Sequence, residues 1–393
     1  MTQETHQLAC QLASLSVFRG LLEKKPMALL LQLLKCQTDP CEKLSLMGAF
    51  VYSLAESGCC FSDFLTRAVC EDENLYVKSI ARGQTPPPSV EANAQAELRL
   101  FSRLTELNAQ TLCASLDDAG YIPQFENHVT DFVSVYAQRM ANIARYGYGV
   151  FATAGMFRVE GQSILPVEAA DDITLSQFIG YESQRQRLLD NTQALVDGRP
   201  AANALLCGDA GTGKSSTVKA CANHFFDQGV RLIELRKDQL FSLSYVMGRI
   251  ADNPLKFIIF IDDLSFNKND DCFSMLKAAL EGSASAKASN AVIYATSNRR
   301  HIVKENFSDR ATSDDVHHSD TVQELLSLSD RFGLTLYYER PVKRLYLDIV
   351  HQLAQRHGLQ MDENALDLQA EAFALARGSR SPRAAEQFIK SLL

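Results

Sequence analysis

Apolar positions divide the chain into two textures. Up to about residue 165 they recur every three or four residues, the period of a helix with one buried face. Leu8, Leu12, Leu15, Phe18 and Leu22 form one such stripe, and Met27 to Leu34 is nearly all apolar. Pro86-Pro87-Pro88 interrupts the pattern and predicts a linker, because proline fixes φ and lacks an amide hydrogen. Helical spacing resumes over 90–116 and again over 131–145. Tyr146 to Val167 is rich in glycine and β-formers, which predicts a hairpin ahead of the next domain.

From about Asp171 short apolar runs alternate with segments of helical spacing. The predicted strands are 204–207, 231–235, 257–261, 291–296 and 334–338. Alternation of this kind predicts a parallel sheet covered by helices on both faces. Residues 304–328 are polar and acidic and read as a loop or insertion. After Pro341 the pattern is helical again: Val342, Leu345, Tyr346, Ile349, Val350 and Leu353 share a face, and Gly358 ends that helix. A second helix is stopped by Gly378, and Ser381-Pro382 reads as the cap and first turn of a third. The expected division is a mostly helical N-terminal domain over 1–165, an α/β nucleotide-binding core over 166–340 and a helical lid over 341–393.

Composition changes this picture little. A length of 393 residues suits two or three domains, and 46% apolar with 22% charged residues is ordinary for packed domains. A net charge of −8 argues against a general nucleic-acid coat, which would be basic. The ten cysteines show no metal-binding spacing, and Cys207 and Cys221 read as small buried apolar residues. With no basic-then-apolar leader and no apolar run near membrane-spanning length, a cytoplasmic protein without a membrane span is expected.

The chemistry concentrates in the second texture. Residues Gly208-Asp209-Ala210-Gly211-Thr212-Gly213-Lys214-Ser215 fit the phosphate-cradling loop G-x-x-x-x-G-K-[ST]. A predicted strand precedes the loop and a predicted helix follows it, beginning at Ser215-Ser216. Glycines let the backbone wrap an anion, and the helix start aims free N–H groups at it. Lys214 would reach the outer phosphates as a point charge. The Ser215 hydroxyl would ligate Mg²⁺, a hard cation that prefers oxygen. The strand Phe257–Ile261 ends in Asp262-Asp263. Asp262 would hold the metal and Asp263 would polarise the attacking water. The alternative for this pair is a helix cap.

The next strand ends at Asn298, whose amide could hydrogen-bond the attacking water or the γ-phosphate, with Thr296 and Ser297 behind it. Arg331, in Ser329-Asp330-Arg331, could act as a finger on a neighbouring subunit's nucleotide or pair with an acid of its own chain. Arg383 falls in the first turn of the terminal helix, where the dipole disfavours a cation. A phosphate or a buried carboxylate would relieve that conflict. Ile179 and Tyr181 could cover an adenine, or simply pack the entry turn of the core.

The order of these motifs resembles the AAA+ ATPases. Asp262-Asp263-Leu264-Ser265-Phe266, Ala295-Thr296-Ser297-Asn298-Arg299-Arg300-His301 and Leu328-Ser329-Asp330-Arg331-Phe332-Gly333 are similar to a bacterial family of predicted AAA+ ATPases of unknown function. Gly180-Tyr181-Glu182 and the stretch from Gly378 to Arg383 fit it as well. The resemblance covers roughly residues 170–393. It implies a core sheet of order 5-1-4-3-2, a lid, ATP between the two, and nucleotide-linked oligomers. It implies no substrate. Two positions depart from the pattern: many AAA+ proteins carry Glu where Asp263 stands, and family members tend to carry an acid where this chain has Asn267.

The expectation is an Mg²⁺-dependent ATPase that remodels or loads a protein partner through its N-terminal region. The alternatives are an ATP-gated switch with negligible turnover, suggested by the shorter Asp263, and a DNA-associated loader. Arg299, Arg300, Lys343 and Arg344 could supply that loader's basic patch, against the acidic net charge.

Overall fold

The computed structural model describes residues 2–36, 39–114, 121–167, 173–264, 275–277, 280, 289–298 and 331–393. Ser265, Phe266, Asn267, Arg299, Arg300, His301, the 304–328 stretch, Leu328, Ser329 and Asp330 lie outside them. The chain forms two compact units, one of residues 1–153 with 252–254, the other of 154–251 with 255–393.

Helices are the regular elements of the first unit's described residues, with 121–131 an irregular segment between them, and the core includes Phe18, Phe50, Phe61, Phe101 and Phe132, all fully buried. The helix Thr2–Ala13 stops before the predicted stripe does, and Arg19–Glu23 forms a separate 3-10 turn. The cause is Glu97. Its buried carboxylate accepts the backbone N–H groups of Ser16, Val17 and Phe18 and the Ser16 hydroxyl. Donors satisfied this way do not need helical partners, and the rotation buries Leu21 in place of Leu22. The three prolines open a helix, Pro88–Leu104, with Pro88 at its start; they join two helices of one unit and do not separate domains. Helical spacing predicted to run through 116 breaks at Thr105, and a capping box of Asn108 and Thr111 starts the short helix Ala109–Leu112.

In the second unit seven strands, counted among the described residues, form one sheet. They are β1 Met156–Glu160, β2 Ser163–Pro166, β3 Ala204–Gly208, β4 Val230–Leu235, β5 Lys256–Ile261, β6 Ala291–Ser297 and β7 Leu334–Tyr338, in the order β2-β1-β4-β5-β6-β3-β7. All neighbours are parallel except the β1–β2 hairpin. The five predicted strands occupy β7-β3-β6-β5-β4. Numbered from the phosphate-loop strand, that is 5-1-4-3-2, the order of an AAA+ P-loop core. The predicted hairpin exists, but it belongs to the sheet, because β1 pairs with β4. The boundary between units therefore falls at 153/154, ahead of the expected 165/166. Phe257 to Ile261 are fully buried, as a strand covered on both faces must be. Each such side chain contributes about 1.5–3 kcal/mol of transfer free energy.

In the segment expected to form a lid, three helices, Lys343–Arg356, Glu363–Ala376 and Pro382–Leu392, pack around Tyr346, Ile349, Val350, Ala370, Phe388 and Ile389. Gly358 and Gly378 follow the first two in left-handed conformation, and the Asp362 and Ser381 side chains cap the second and third. Among the described residues no single helix is long and apolar enough to cross a membrane.

Candidate functional site

Parallel pairing brings the C-terminal ends of the strands to one edge of the sheet. Gly208 pairs with Tyr338, Cys207 with Ser297, and Ile261 with Ala295. The loop after β3, the two carboxylates after β5 and the residue after β6 therefore meet, where open α/β sheets place their ligands.

The loop is tightly built. Gly208 has φ 141°, and a β-carbon there would lie 2.1 Å from the Tyr338 carbonyl oxygen. The Asp209 N–H donates to that same oxygen at 3.0 Å. Gly211 and Gly213 are left-handed, and the Thr212 hydroxyl donates to the Asp209 carbonyl at 2.8 Å. Ala210 is exposed at the loop's crest. Lys214 begins the helix Lys214–His224. Its buried ammonium donates to the carbonyls of Gly208 and Asp209 at 3.0 and 2.8 Å, and to Asn298 Oδ1 at 3.0 Å. Burial holds its pKa below the usual lysine value, while Asp209, Asp262 and Asp263 pull the other way.

Asp262 Oδ1 accepts from the Ser215 hydroxyl at 2.6 Å and the Thr296 hydroxyl at 2.5 Å. Thr296 in turn accepts the Asp263 N–H at 2.9 Å. The end of β6 thus fixes both carboxylates. Asp263 has φ 51°, a left-handed turn that Asp tolerates better than most residues. The Asn298 Nδ2 donates to Asp263 Oδ1 at 2.7 Å. One amide therefore links the loop lysine to the second carboxylate, and these two partners fix which way it faces.

Ser215 and Asp262 place a hydroxyl and a carboxylate against one another, an all-oxygen pair that suits Mg²⁺. With phosphates in the loop, these are the residues that would hold the metal.

Beside the loop, between sheet and lid, lies a cavity of about 490 Å³. Ile179, Tyr181, Ile349 and Leu353 give it apolar walls, while Gly211, Gly213, Ser216 and Arg383 form its phosphate-loop side. Gly180 and Tyr181 are consecutive left-handed residues, φ 78° and 60°, which turn the chain sharply into the helix Glu182–Val196. Arg185 donates to the Gly180 carbonyl, and the Tyr181 hydroxyl to that of Glu339. The Tyr181 ring lies 5.0 Å from that of Tyr338. Burial, with Asp209 next, pushes the Tyr181 phenol up to about 12.

Arg383 stands where the lid meets the loop. Its backbone N–H donates to the Gly211 carbonyl at 3.2 Å, and a β-carbon on Gly211 would lie 3.3 Å from Arg383 Cβ. Arg331 is elsewhere. It precedes β7, whose first residue pairs with Ala204 at the start of β3, so about 13 Å of strand separates it from the loop edge. It cannot serve its own chain's phosphate loop.

Sequence reasoning missed two arginines. The Arg340 N–H donates to Asp209 Oδ2 at 3.0 Å. Arg356, on the lid, donates to the carbonyls of Ser176 and Gln177, tying the lid to the segment before Phe178. The position of Arg340 two residues after a strand was visible; its partner was not.

Among solved structures, the chain is similar to the Thermotoga maritima RuvB Holliday junction branch migration motor, with 16% identity and a TM-score of 0.38 over 56% of this chain and 63% of that one. It is also similar to the replication initiator DnaA bound to AMPPCP and single-stranded DNA, with 16% identity and a TM-score of 0.39 over 56% of this chain and 65% of that one. The chain thus spans less than two thirds of either. No curated protein sequence matches it. Residues 152–393 match the family described as "Protein of unknown function (DUF815)", and the chain belongs to that family.

Proposed function

We propose that the chain is an Mg²⁺-dependent ATPase that couples hydrolysis to the remodelling or loading of a protein partner, as a cytoplasmic homo-oligomer. The observation that carries this reading is the Lys214–Asn298–Asp263 link beside the Ser215–Asp262 pair. Nucleotide phosphates would occupy the loop and Lys214 would neutralise them. The metal, held by Ser215 and Asp262, would screen phosphate charge. Asp263, steered by Asn298 and Thr296, would take the proton from the attacking water. The apolar cavity with Ile179 and Tyr181 suits an adenine, and Arg383 can meet the phosphates from the lid. The helical first unit, outside this chemistry, is the natural seat of a partner.

ATP binding by purified protein tests this directly. The wild type should bind ATP and release phosphate, and Lys214→Ala should do neither. Equal ATP affinity in the two proteins would sink the reading.

A second reading is an ATP-gated switch. Asp263 supports it, since its carboxylate is one methylene shorter than glutamate and reaches less far toward a water. Binding without measurable phosphate release, alone or with cell lysate, would favour the switch. Steady turnover without a partner would exclude it.

A further inference from the structure

The helical unit carries a cluster that the nucleotide chemistry does not use. Cys60 stands at the N-terminal boundary of the helix Phe61–Glu71, and Asp63 lies in that helix's first turn. His128 arrives from a segment 65 residues further on. Cys60 Sγ lies 3.6 Å from His128 Nδ1, and Asp63 Oδ1 lies 3.4 Å from His128 Nε2. One donor atom from each residue lies within 4.8 Å of the other two. We propose that Cys60, Asp63 and His128 form a zinc site whose fourth position is open to solvent.

The distances suit such an ion. Tetrahedral Zn²⁺, with bonds of about 2.0–2.1 Å to N and O, spaces the two by about 3.4 Å, the separation of His128 Nε2 and Asp63 Oδ1. The ion sits on Nε2 beside the carboxylate, and Cys60 Sγ, which faces Nδ1 in this conformation, completes the set by rotation of its half-buried side chain. A thiolate, an imidazole and a carboxylate together select zinc over Mg²⁺ or Ca²⁺, which take oxygen.

The imidazole is held ready. Ser62 is fully buried, and its hydroxyl lies 2.7 Å from His128 Nδ1. The same hydroxyl accepts the His128 backbone N–H at 3.2 Å. With zinc on Nε2, Nδ1–H donates to Ser62, the outer-shell bond that orients ligating histidines. The segment itself is fastened directly ahead of His128. The Phe61 N–H donates to the Glu126 carbonyl at 3.2 Å, and the Asn127 amide to the Leu107 carbonyl at 2.9 Å. The Phe125 ring packs edge-on against Phe50 at 5.3 Å. An ordinary surface ion pair between Asp63 and His128 would need neither the thiol nor this support. The spacing of the ligands along the chain follows no metal motif, so the fold alone assembles them.

The test is Co²⁺ titration of the full-length, reduced, chelator-stripped protein, followed by its thiolate-to-metal charge-transfer absorption. About one equivalent should bind with that band, and Zn²⁺ should displace it. Cys60→Ser should abolish the band, and His128→Ala should weaken binding. Ser62→Ala, which removes no ligand, should weaken it about 10–100-fold, while Lys214→Ala should leave the titration unchanged. Absence of the band, or a band equally strong in Cys60→Ser and His128→Ala, overturns the proposal. So does the absence of binding together with His128-dependent rapid alkylation of Cys60, which would identify a nucleophilic thiol–imidazole pair.

Discussion

Tyr181 and Asp263 are, among the described residues, the non-glycine positions with left-handed backbone. Such a conformation costs about 1–3 kcal/mol and persists only where neighbours enforce it. Here the neighbours are named: Thr296 for Asp263, and Arg185 with the end of β7 for Tyr181. Both strained residues fall in the candidate site. Thr296→Val keeps the shape of the side chain but removes the hydroxyl that joins Asp262 to Asp263. It should slow phosphate release at least about tenfold and leave ATP affinity nearly unchanged, as steady-state kinetics beside direct binding would show. Lys214, Ser215, Asp262 and Asp263 were legible in the sequence because a strand end and the loop after it are local. Arg340 and Arg356 were not, because their partners lie 131 and about 180 residues away, and no pattern links such positions.

The join between β3 and β7 leaves no room for a side chain at Gly208. A methyl group at Gly208 would overlap the Tyr338 carbonyl, so Gly208→Ala must push the two strands apart. Thermal melting should show a large loss of stability. Gly48 gives the contrast: it lies inside the helix Pro40–Glu56 with nothing near its missing β-carbon. Gly48→Ala should stabilise the protein by about 0.5–1 kcal/mol in denaturant unfolding. In the lid, Arg380 donates two hydrogen bonds to Glu371 and lowers its pKa from the usual 4.5. A lowered carboxylate pKa stabilises the fold above the unfolded value and loses that effect as pH falls through the folded one. Glu371→Gln should therefore melt earlier than the wild type at neutral pH, and the gap should close in acid. The strands were legible almost to the residue, since a continuous apolar run bounded by turn residues has few alternatives. The helix breaks near Leu15 and Thr105 were not. Glu97 sets the first from a distant part of the chain, and the apolar period continues across both.

For the whole molecule, the sheet order followed from the resemblance and the parallel sheet from the alternating strands, whereas the place of the hairpin followed from neither. Its own residues specify β1 and β2, but only pairing with β4 decides which unit they join. Arg331 sits at the far end of β7 from its own loop, so an active role requires a second copy. ATP with Mg²⁺ should raise the mass seen by light scattering. Arg331→Ala should lower turnover in the assembly without lowering ATP affinity, and a monomer under all conditions would leave that role empty. In the proposed ATP site built on Lys214, Ser215 and Asp262, Asp263 is the group that drives hydrolysis. Asparagine also tolerates the left-handed backbone at 263, so Asp263→Asn changes the chemistry and spares the fold. The decisive measurement is ATP affinity and phosphate release on that one variant. Wild-type affinity with release reduced about 10²–10⁴-fold is the predicted result; release at the wild-type rate would contradict the account.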